Sequence, residues 1–256
     1  MSLPPHFGVN FTQTLHNDIN PSTDPRKSDL SQPGKVILIT GAGRGIGRSI
    51  ALQYAQAGVA TVIICARTAS ELDEVQTSIH SIQSTISVRK IHLDITNEEQ
   101  VLAAAESVRR EEGRLDVLIN NAGYTSLWVL LAEGDTDKYW NTWVVNIKGT
   151  YLMLHSFLPL MVETAKICGR AVDVVNVGSM GAHATTPGAS AYQASKLALL
   201  RLGEFVVEEY SGKGVNCFSV HPGGVVNEFS KDVEQLEGRK FFCLDMIRLP
   251  SDFGTW

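Results

Sequence analysis

The stretch ASAYQASKLALL places a tyrosine, Tyr192, four residues before a lysine, Lys196. On a helix both side chains would share one face, because residues four apart are neighbours on the helix surface. A phenol normally titrates near about 10, and a neighbouring ammonium favours its ionised form and lowers that pKa. Such a phenol could donate a proton to a carbonyl oxygen or remove one from an alcohol. The spacing alone is more typical of an ordinary surface pair. Other residues must therefore indicate whether Tyr192 and Lys196 form part of a site.

A serine at the end of a predicted strand supplies the second observation. Ser179 closes the apolar run AVDVVNVGS and lies thirteen residues before Tyr192. A hydroxyl at the carboxyl end of a strand could hydrogen-bond the same substrate oxygen as the phenol. Together with Lys196, these residues predict an acid–base site.

A glycine-rich segment, TGAGRGIG at 40–47, predicts a site for an anionic ligand. It joins the strand-like run KVILI to the helix-like run RSIALQYAQAG. Glycines allow a tight turn and a close approach of phosphate to the backbone, and the following helix presents free N–H groups. The fingerprint G-x-G-x-x-G does not fit, because Ile46 and Arg48 stand where its third glycine would be. The phosphate-loop pattern is also absent, since Arg48 rather than Lys-Ser follows Gly47.

The second predicted strand, VATVIICA, is followed by Arg67 rather than by an acid. An NAD site usually has an acid here for the ribose 2′-hydroxyl, but the next acid, Glu71, falls in the following predicted helix. A guanidinium at this place could hold a 2′-phosphate instead. Arg44, inside the glycine segment, could reach the same phosphate. The two arginines predict NADP in preference to NAD.

Apolar runs and helix-like patterns alternate along the chain from residue 34 onwards. The runs are short, rich in Val and Ile, and apolar nearly throughout, as strands covered on both faces are. They are KVILIT, VATVIICA, SVRKIHLD, LDVLINNAG, AVDVVNVGS and VNCFSVHPGG. This alternation predicts a single α/β domain with a doubly wound parallel sheet, the Rossmann fold, whose ligands bind beyond the carboxyl ends of the strands. A closed α/β barrel is the alternative, but it needs eight such repeats.

Composition and missing motifs argue against other classes of function. The 256 residues carry a net charge of −5, so no basic field favours nucleic acid. No apolar stretch approaches the ~18 residues of a membrane span. The N-terminus does not resemble a signal peptide and the four cysteines are scattered, so we expect a cytoplasmic location. No H-E-x-x-H or His/Cys cluster predicts a metal, and no G-x-S-x-G elbow predicts a hydrolase.

In combination these motifs resemble the short-chain dehydrogenase/reductase family, in its shorter subgroup, from about Lys35 to Asn227. The glycine segment fits the family pattern T-G-x-x-x-G-x-G, and Tyr192 with Lys196 fits Y-x-x-x-K. Ser179 matches the serine of the family pattern. Further matches are an aspartate after the third strand, an N-N-A-G motif, an asparagine in a long helical pattern and a P-G motif; these are Asp94, Asn120 to Gly123, Asn146, and Pro222 with Gly223.

The resemblance implies a catalytic tetrad of Asn146, Ser179, Tyr192 and Lys196. Tyr192 would be the general acid/base, and Lys196 would lower its pKa and hydrogen-bond the nicotinamide ribose. Ser179 would orient the substrate oxygen, and Asn146 would hold a water that links Lys196 to solvent. The residues predicted or implied to bind the cofactor are Gly41, Arg44, Gly45, Ile46, Gly47, Arg67, Asp94, Asn121, Tyr192, Lys196 and Val225.

The predicted function is an NADP-dependent oxidoreductase that interconverts a carbonyl and a secondary alcohol on a small organic substrate by hydride transfer. The alternative is a non-catalytic or truncated dinucleotide-binding protein of the same fold. A lyase or epimerase on this fold fits less well, because those relatives usually have a different glycine spacing.

The sequence departs from the family pattern in two places. Asn227 stands where the family usually has a threonine that helps hold the nicotinamide amide. The sequence ends at SDFGTW, before the family's seventh strand, so we expect a missing edge strand and a weakened homo-oligomer. The expected organisation is an N-terminal extension at 1–33, an NADP-binding and catalytic domain at 34–230, and part of a substrate lid at 231–256.

Overall fold

The computed structural model describes residues 21–223. One sheet of six strands lies within them: β1 Val36–Thr40, β2 Thr61–Ala66, β3 Ser87–His92, β4 Val117–Asn120, β5 Val172–Val177 and β6 Val215–Val220. The predictions made for Val225, Asn227, the lid at 231–256 and a missing seventh strand lie outside the described residues.

All strand pairs are parallel, and their order in space is β3-β2-β1-β4-β5-β6. This order confirms the doubly wound sheet, and the alternative of a closed barrel is wrong. The side of the sheet to which successive strands are added reverses between β1 and β4, because β2 and β3 lie on one side of β1 and β4 to β6 lie on the other. Ligands of such sheets bind at this reversal, in the crevice beyond the carboxyl ends of the strands.

Within residues 21–223, six helices cover the sheet: α1 Gly45–Gln56, α2 Ala69–Ile82, α3 Glu98–Glu112, α4 Thr136–Trp143, α5 Thr150–Cys168 and α6 Ser190–Tyr210. Local signals set several helix ends. The side chains of Asn97 and Asp135 accept backbone hydrogen bonds as N-caps of α3 and α4. Gly113 ends α3 in the left-handed conformation. A π-helical segment, Val144–Gly149, joins α4 to α5 and interrupts the long helical pattern.

Both faces of the sheet are buried against helices. In β1, Val36 and Leu38 pack with residues of α3 and α5, whereas Ile37 and Ile39 pack with residues of α1 and α2. The alternation follows from strand geometry, in which successive side chains point to opposite faces. Because both faces are covered, the ends of the strands remain as the surface that can bind a ligand.

One buried carboxylate ties the strands together at their amino ends. Asp116, 1% exposed, accepts a hydrogen bond from the Val36 backbone at 2.9 Å and pairs with Arg114 and Arg170. These contacts join the starts of β1, β4 and β5. The buried charge is tolerated because it is paired and hydrogen-bonded.

The described part of the predicted N-terminal extension, 21–33, is mostly exposed. It contains a short 3₁₀ turn, Ser28–Leu30, and is fastened to the carbonyl of Ala57 by Gln32 and Ser31. The division of the chain at residues 33 and 230 stays a prediction. None of the helices in the described part of the chain combines the length and the hydropathy of a bilayer-spanning segment.

The turn that follows β1 is locked to the end of β4. The side-chain amide of Asn121 donates to the carbonyls of Thr40 at 2.8 Å and Gly41 at 3.1 Å. The Thr40 hydroxyl accepts hydrogen bonds from the backbone of Asn121 at 3.0 Å and Ala122 at 3.1 Å. Gly47 presses on the same turn, because a Cβ there would lie 2.2 Å from the Gly41 carbonyl oxygen.

Replacing Gly47 should therefore push α1 away from β1. We expect Gly47→Ala to lower the free energy of unfolding by roughly 1–3 kcal/mol, because the new methyl group would overpack a turn held by Asn121. Urea denaturation measures the change. Gly212→Ala is the matched control, since an added Cβ there would meet no atom within 4 Å. Equal stabilities of the two variants would contradict the packing role of Gly47.

Candidate active site

The glycine segment leaves an open helix end at the carboxyl edge of the sheet. Gly45 begins α1 with a φ of 55°, and no atom lies within 4 Å of where its Cβ would be. The N-cap residue, Arg44, makes no side-chain cap hydrogen bond, and the first turn of α1 carries no acid. Free N–H groups at such a helix end attract an anion. The residues therefore fit the diphosphate of a dinucleotide, with Ile46 partly buried against the α1–α2 side of the core.

Charged side chains gather where β1, β2 and β3 end. The Arg44 side chain is 65% exposed, and its Nε lies 4.0 Å from Oε1 of Glu71. Asp94 follows β3 and accepts hydrogen bonds from the backbone and hydroxyl of Thr96 at 2.9 and 2.8 Å. Burial would raise the pKa of Asp94, but the bonds from Thr96 and the charge of Arg67 together lower it. Each arginine predicted to bind a 2′-phosphate thus interacts with a carboxylate.

Glu71 belongs to this site, although the sequence assigned it no role. It lies in the first turn of α2, and its side chain passes over Gly43: a Cβ on that glycine would lie 2.4 Å from Oε2 of Glu71. The signal that could have identified it is its place in the first helical turn. An acid so soon after a strand is still at the carboxyl edge of the sheet.

Ser179 and Tyr192 form a hydrogen-bonded pair of hydroxyl groups. Ser179 lies just beyond β5, and its Oγ also accepts the backbone N–H of Gly181 at 3.0 Å. Tyr192 lies in the first turn of α6. Burial raises the pKa of Tyr192 above its ordinary value, although the hydrogen bond with Ser179 acts in the opposite direction. The lowered pKa predicted from the sequence is therefore wrong, because the loss of solvent outweighs the hydrogen bond with Ser179.

Lys196 is buried beside the tyrosine. It is 5% exposed, its Nζ lies 5.7 Å from the centre of the Tyr192 ring, and the same atom donates to the Val177 carbonyl at 2.8 Å. The glycine of N-N-A-G, Gly123, is adjacent, since a Cβ there would lie 3.7 Å from Nζ. Burial lowers the pKa of Lys196 to about 8. An ammonium with such a pKa can gain and lose a proton near neutral pH.

Asn146 connects the loop after β4 to the first turn of α6. Its Oδ1 accepts the Tyr124 backbone N–H at 2.8 Å, and its Nδ2 donates to the Tyr124 carbonyl and to Ser195 Oγ, both at 2.9 Å. The Ser195 hydroxyl then donates to the carbonyl of Tyr192 at 2.7 Å. Asn146 lies in the π-helical segment, and such interruptions of helices are frequent at functional sites.

Ser195 and Tyr124 are the other residues that sequence reasoning missed. The signal for Ser195 is its position directly before Lys196, which the α6 helix also buries. Tyr124 contributes only backbone atoms to Asn146, so no side-chain pattern could have identified it.

Within the described residues, the structure brings the predicted site residues to one edge of the sheet. The glycine segment follows β1, Arg67 follows β2, Asp94 follows β3, Asn121 follows β4 and Ser179 follows β5. The tetrad residues lie on the β4–β5 side of the strand reversal, and the two arginines lie on the β1–β2 side. Asn121 donates both of its amide hydrogens to the glycine turn, and its contact with a cofactor stays a prediction.

The lowered pKa of Lys196 predicts a pH-dependent stability. The folded protein binds fewer protons than the unfolded chain between the folded pKa of about 8 and the ordinary value of 10.5. The free energy of unfolding of the wild type, relative to Lys196→Met, should therefore rise across that window by up to roughly 3 kcal/mol and stay level below it. Urea denaturation of both proteins from pH 7 to the upper end of the window measures this difference. A difference that does not change with pH would contradict the lowered pKa.

Comparison with known proteins agrees with this geometry. Residues 35–238 match the family model described as short chain dehydrogenase. The chain is 41% identical over 261 residues to the short chain dehydrogenase mpl6 of Monascus purpureus, and the match covers 100% of this chain and 86% of that protein.

Solved structures share the fold. The crystal structure of NAD⁺-bound xylitol dehydrogenase is 27% identical, with a TM-score of 0.71 over 77% of this chain and 73% of that one. A short chain dehydrogenase from Shigella flexneri 2a complexed with NADP is 26% identical, with a TM-score of 0.70 over 78% of this chain and 80% of that one. The chain therefore belongs to the short-chain dehydrogenase/reductase family and is an NAD(P)-dependent oxidoreductase acting on CH–OH groups.

Proposed function

We propose that this protein is an NADP-dependent oxidoreductase that interconverts a carbonyl and a secondary alcohol on a small organic substrate. The observation that carries this proposal is the hydrogen-bonded pair of Ser179 and Tyr192 with Lys196 buried beside it. Two hydroxyls that can approach the same oxygen suit a carbonyl or an alcohol, since a carbonyl presents one oxygen to be bound and protonated and an alcohol presents one to be bound and deprotonated.

Tyr192 acts in this proposal as the general acid/base. Because burial raises its pKa, the phenol keeps its proton at neutral pH and can donate it to a carbonyl oxygen that is gaining negative charge. Ser179 donates a hydrogen bond to the same oxygen and keeps it in place. A nicotinamide cofactor, when bound, would supply or accept the hydride. The oxidative direction requires the phenol to lose its proton first, so the raised pKa favours reduction near neutral pH.

Lys196 and Asn146 return a proton to the site in this proposal. A lysine with a pKa of about 8 can give up and regain its proton under ordinary conditions. Asn146 would hold the water that links this lysine to solvent. Because both amide hydrogens of Asn146 are donated to Tyr124 and Ser195, the water would have to donate to one of the oxygen atoms of Asn146. Lys196 would also hydrogen-bond the nicotinamide ribose.

The choice of NADP rests on this chain's own residues, because the related structures contain NAD⁺ in one case and NADP in the other. It is supported by Arg67 directly after β2 and by Arg44 at the start of α1. Guanidinium groups match the geometry and charge of a phosphate. The remaining contacts proposed for the cofactor are those of Gly41, Gly45, Ile46, Gly47, Asp94, Asn121 and Val225.

A cytoplasmic location and a weakened homo-oligomer belong to the same proposal. Free thiols at Cys65, Cys168 and Cys217 suit a reducing compartment, and subcellular fractionation tests the location.

An apolar groove of about 520 Å³ beside Tyr151 and Phe205, which are 50% and 55% exposed, could be covered by a second copy. Sedimentation velocity tests the assembly, and a single species of 27.9 kDa would contradict it.

Loss of the phenolic hydroxyl should greatly reduce turnover without preventing cofactor binding. Tyr192→Phe should lower NADPH oxidation with a panel of ketones by roughly 10²- to 10⁴-fold, because only the proton donor is removed. Tyr210→Phe is the matched control: this tyrosine ends α6 with the Lys213 ammonium 4.4 Å from its ring centre, and its loss should leave turnover unchanged. Unchanged turnover in Tyr192→Phe would rule out the proposed acid. Tight NADPH binding by a wild type that turns over no ketone would favour a non-catalytic dinucleotide-binding protein.

Removal of Arg67 should affect NADPH far more than NADH. Arg67→Ala should raise the Kd for NADPH roughly tenfold and leave the Kd for NADH nearly unchanged, because only NADPH carries the 2′-phosphate. Fluorescence titration measures both constants. Arg110→Ala removes a 69% exposed arginine from α3 and serves as the control. If the ratio of the two constants is the same with and without the Arg67 side chain, Arg67 does not bind the phosphate.

A further inference from the structure

Glu71 forms part of the wall of the cofactor crevice. A Cβ on Gly43 would lie 2.4 Å from Oε2 and 2.9 Å from Cβ of Glu71, so only a glycine leaves room for this side chain. The Glu71 side chain is 31% exposed, whereas that of Glu74, further along α2, is 68% exposed. The Glu71 carboxylate therefore lies over the glycine segment and is less exposed to solvent than that of Glu74.

The carboxylate of Glu71 faces a guanidinium that the proposed function assigns to the 2′-phosphate. The Arg44 Nε lies 4.0 Å from Oε1 of Glu71. The second arginine of the site, Arg67, attracts the carboxylate of Asp94 and helps to lower its pKa. These four side chains carry two positive and two negative charges. The attraction for an anion is therefore weaker than the two arginines alone would produce.

The two cofactors differ in how this carboxylate affects them. A 2′-phosphate carries a charge of about −1.5 to −2 at neutral pH. To bind Arg44 it must draw the guanidinium away from Glu71 and stay close to a like charge. A 2′-hydroxyl is neutral and can donate a hydrogen bond to a carboxylate, as it does to the acid of an NAD site. The same side chain thus opposes one cofactor and tolerates the other.

We propose that Glu71 is a specificity-determining residue whose carboxylate competes with the 2′-phosphate for Arg44 and narrows the preference for NADP over NAD. The proposal rests on the proposed function, because it requires the glycine segment to bind NADP. While Glu71 is charged, Arg44 contributes less than its full share to the affinity for NADPH. Removal of that charge should therefore increase the affinity.

Glu71→Gln tests this role, because it preserves the size of the side chain and removes its charge. The Kd for NADPH, measured by fluorescence titration, should fall roughly threefold to tenfold, whereas the Kd for NADH should stay within about twofold or rise. Glu74→Gln is the matched control. Oε2 of Glu74 lies 3.9 Å from Nη1 of Arg48 in α1. Removal of the Glu74 charge should leave the Kd values for NADPH and NADH unchanged.

The same substitution in an Arg44→Ala background separates competition from a general structural effect. The gain in NADPH affinity should be smaller there, because no guanidinium remains to be released. If Glu71→Gln leaves the ratio of the two Kd values unchanged, or gives the same gain without Arg44, the competition is overturned while dinucleotide binding stands. If the wild type binds neither dinucleotide, the proposed function fails, and the role of Glu71 fails with it.

Discussion

The side-chain amide of Asn121 holds the end of β4 against the turn that leaves β1, and the rest of the site depends on this contact. The two strands are neighbours at the reversal of strand order, where the crevice opens. The path of the turn decides where α1 begins, and Gly47 packs on that path. The first turn of α1, with its free N–H groups, therefore begins at the carboxyl edge of the sheet, beside the crevice.

Burial determines the acid–base properties of Tyr192 and Lys196, the proposed catalytic pair. It disfavours the charged form of each group, so it raises the pKa of Tyr192 and lowers that of Lys196 to about 8. The ordinary pKa values of the two groups are close, at 10.0 for the phenol and 10.5 for the ammonium. In the structure the ammonium loses its proton before the phenol does. A protonated phenol beside a readily deprotonated lysine is suited to the proton donation proposed for Tyr192, with the hydroxyl of Ser179 beside it.

Much of this could be predicted from the sequence. Strands that are buried on both faces have a distinctive apolar composition. The carboxyl ends of parallel strands meet at one edge of the sheet, so the residues that follow successive strands were expected to lie close together. The position of the Glu71 carboxylate could not be predicted, because the bend of this side chain over Gly43 depends on the packing of α2 against α1. The bonds from Asn146 to Tyr124 and Ser195 depend likewise on a π-helical turn that the apolar pattern does not reveal.

The sequence by itself determined the alternation of strands and helices, the glycine segment, and the residue types available for acid–base chemistry. These follow from local periodicity and spacing, which act within a few residues along the chain. The tertiary structure decided the direction of the pKa shifts, the pairing of Arg44 with Glu71, and the hydrogen bonds of Asn146. Each of these depends on desolvation or on distances between segments remote in sequence, and such quantities exist only once the helices have packed on the sheet.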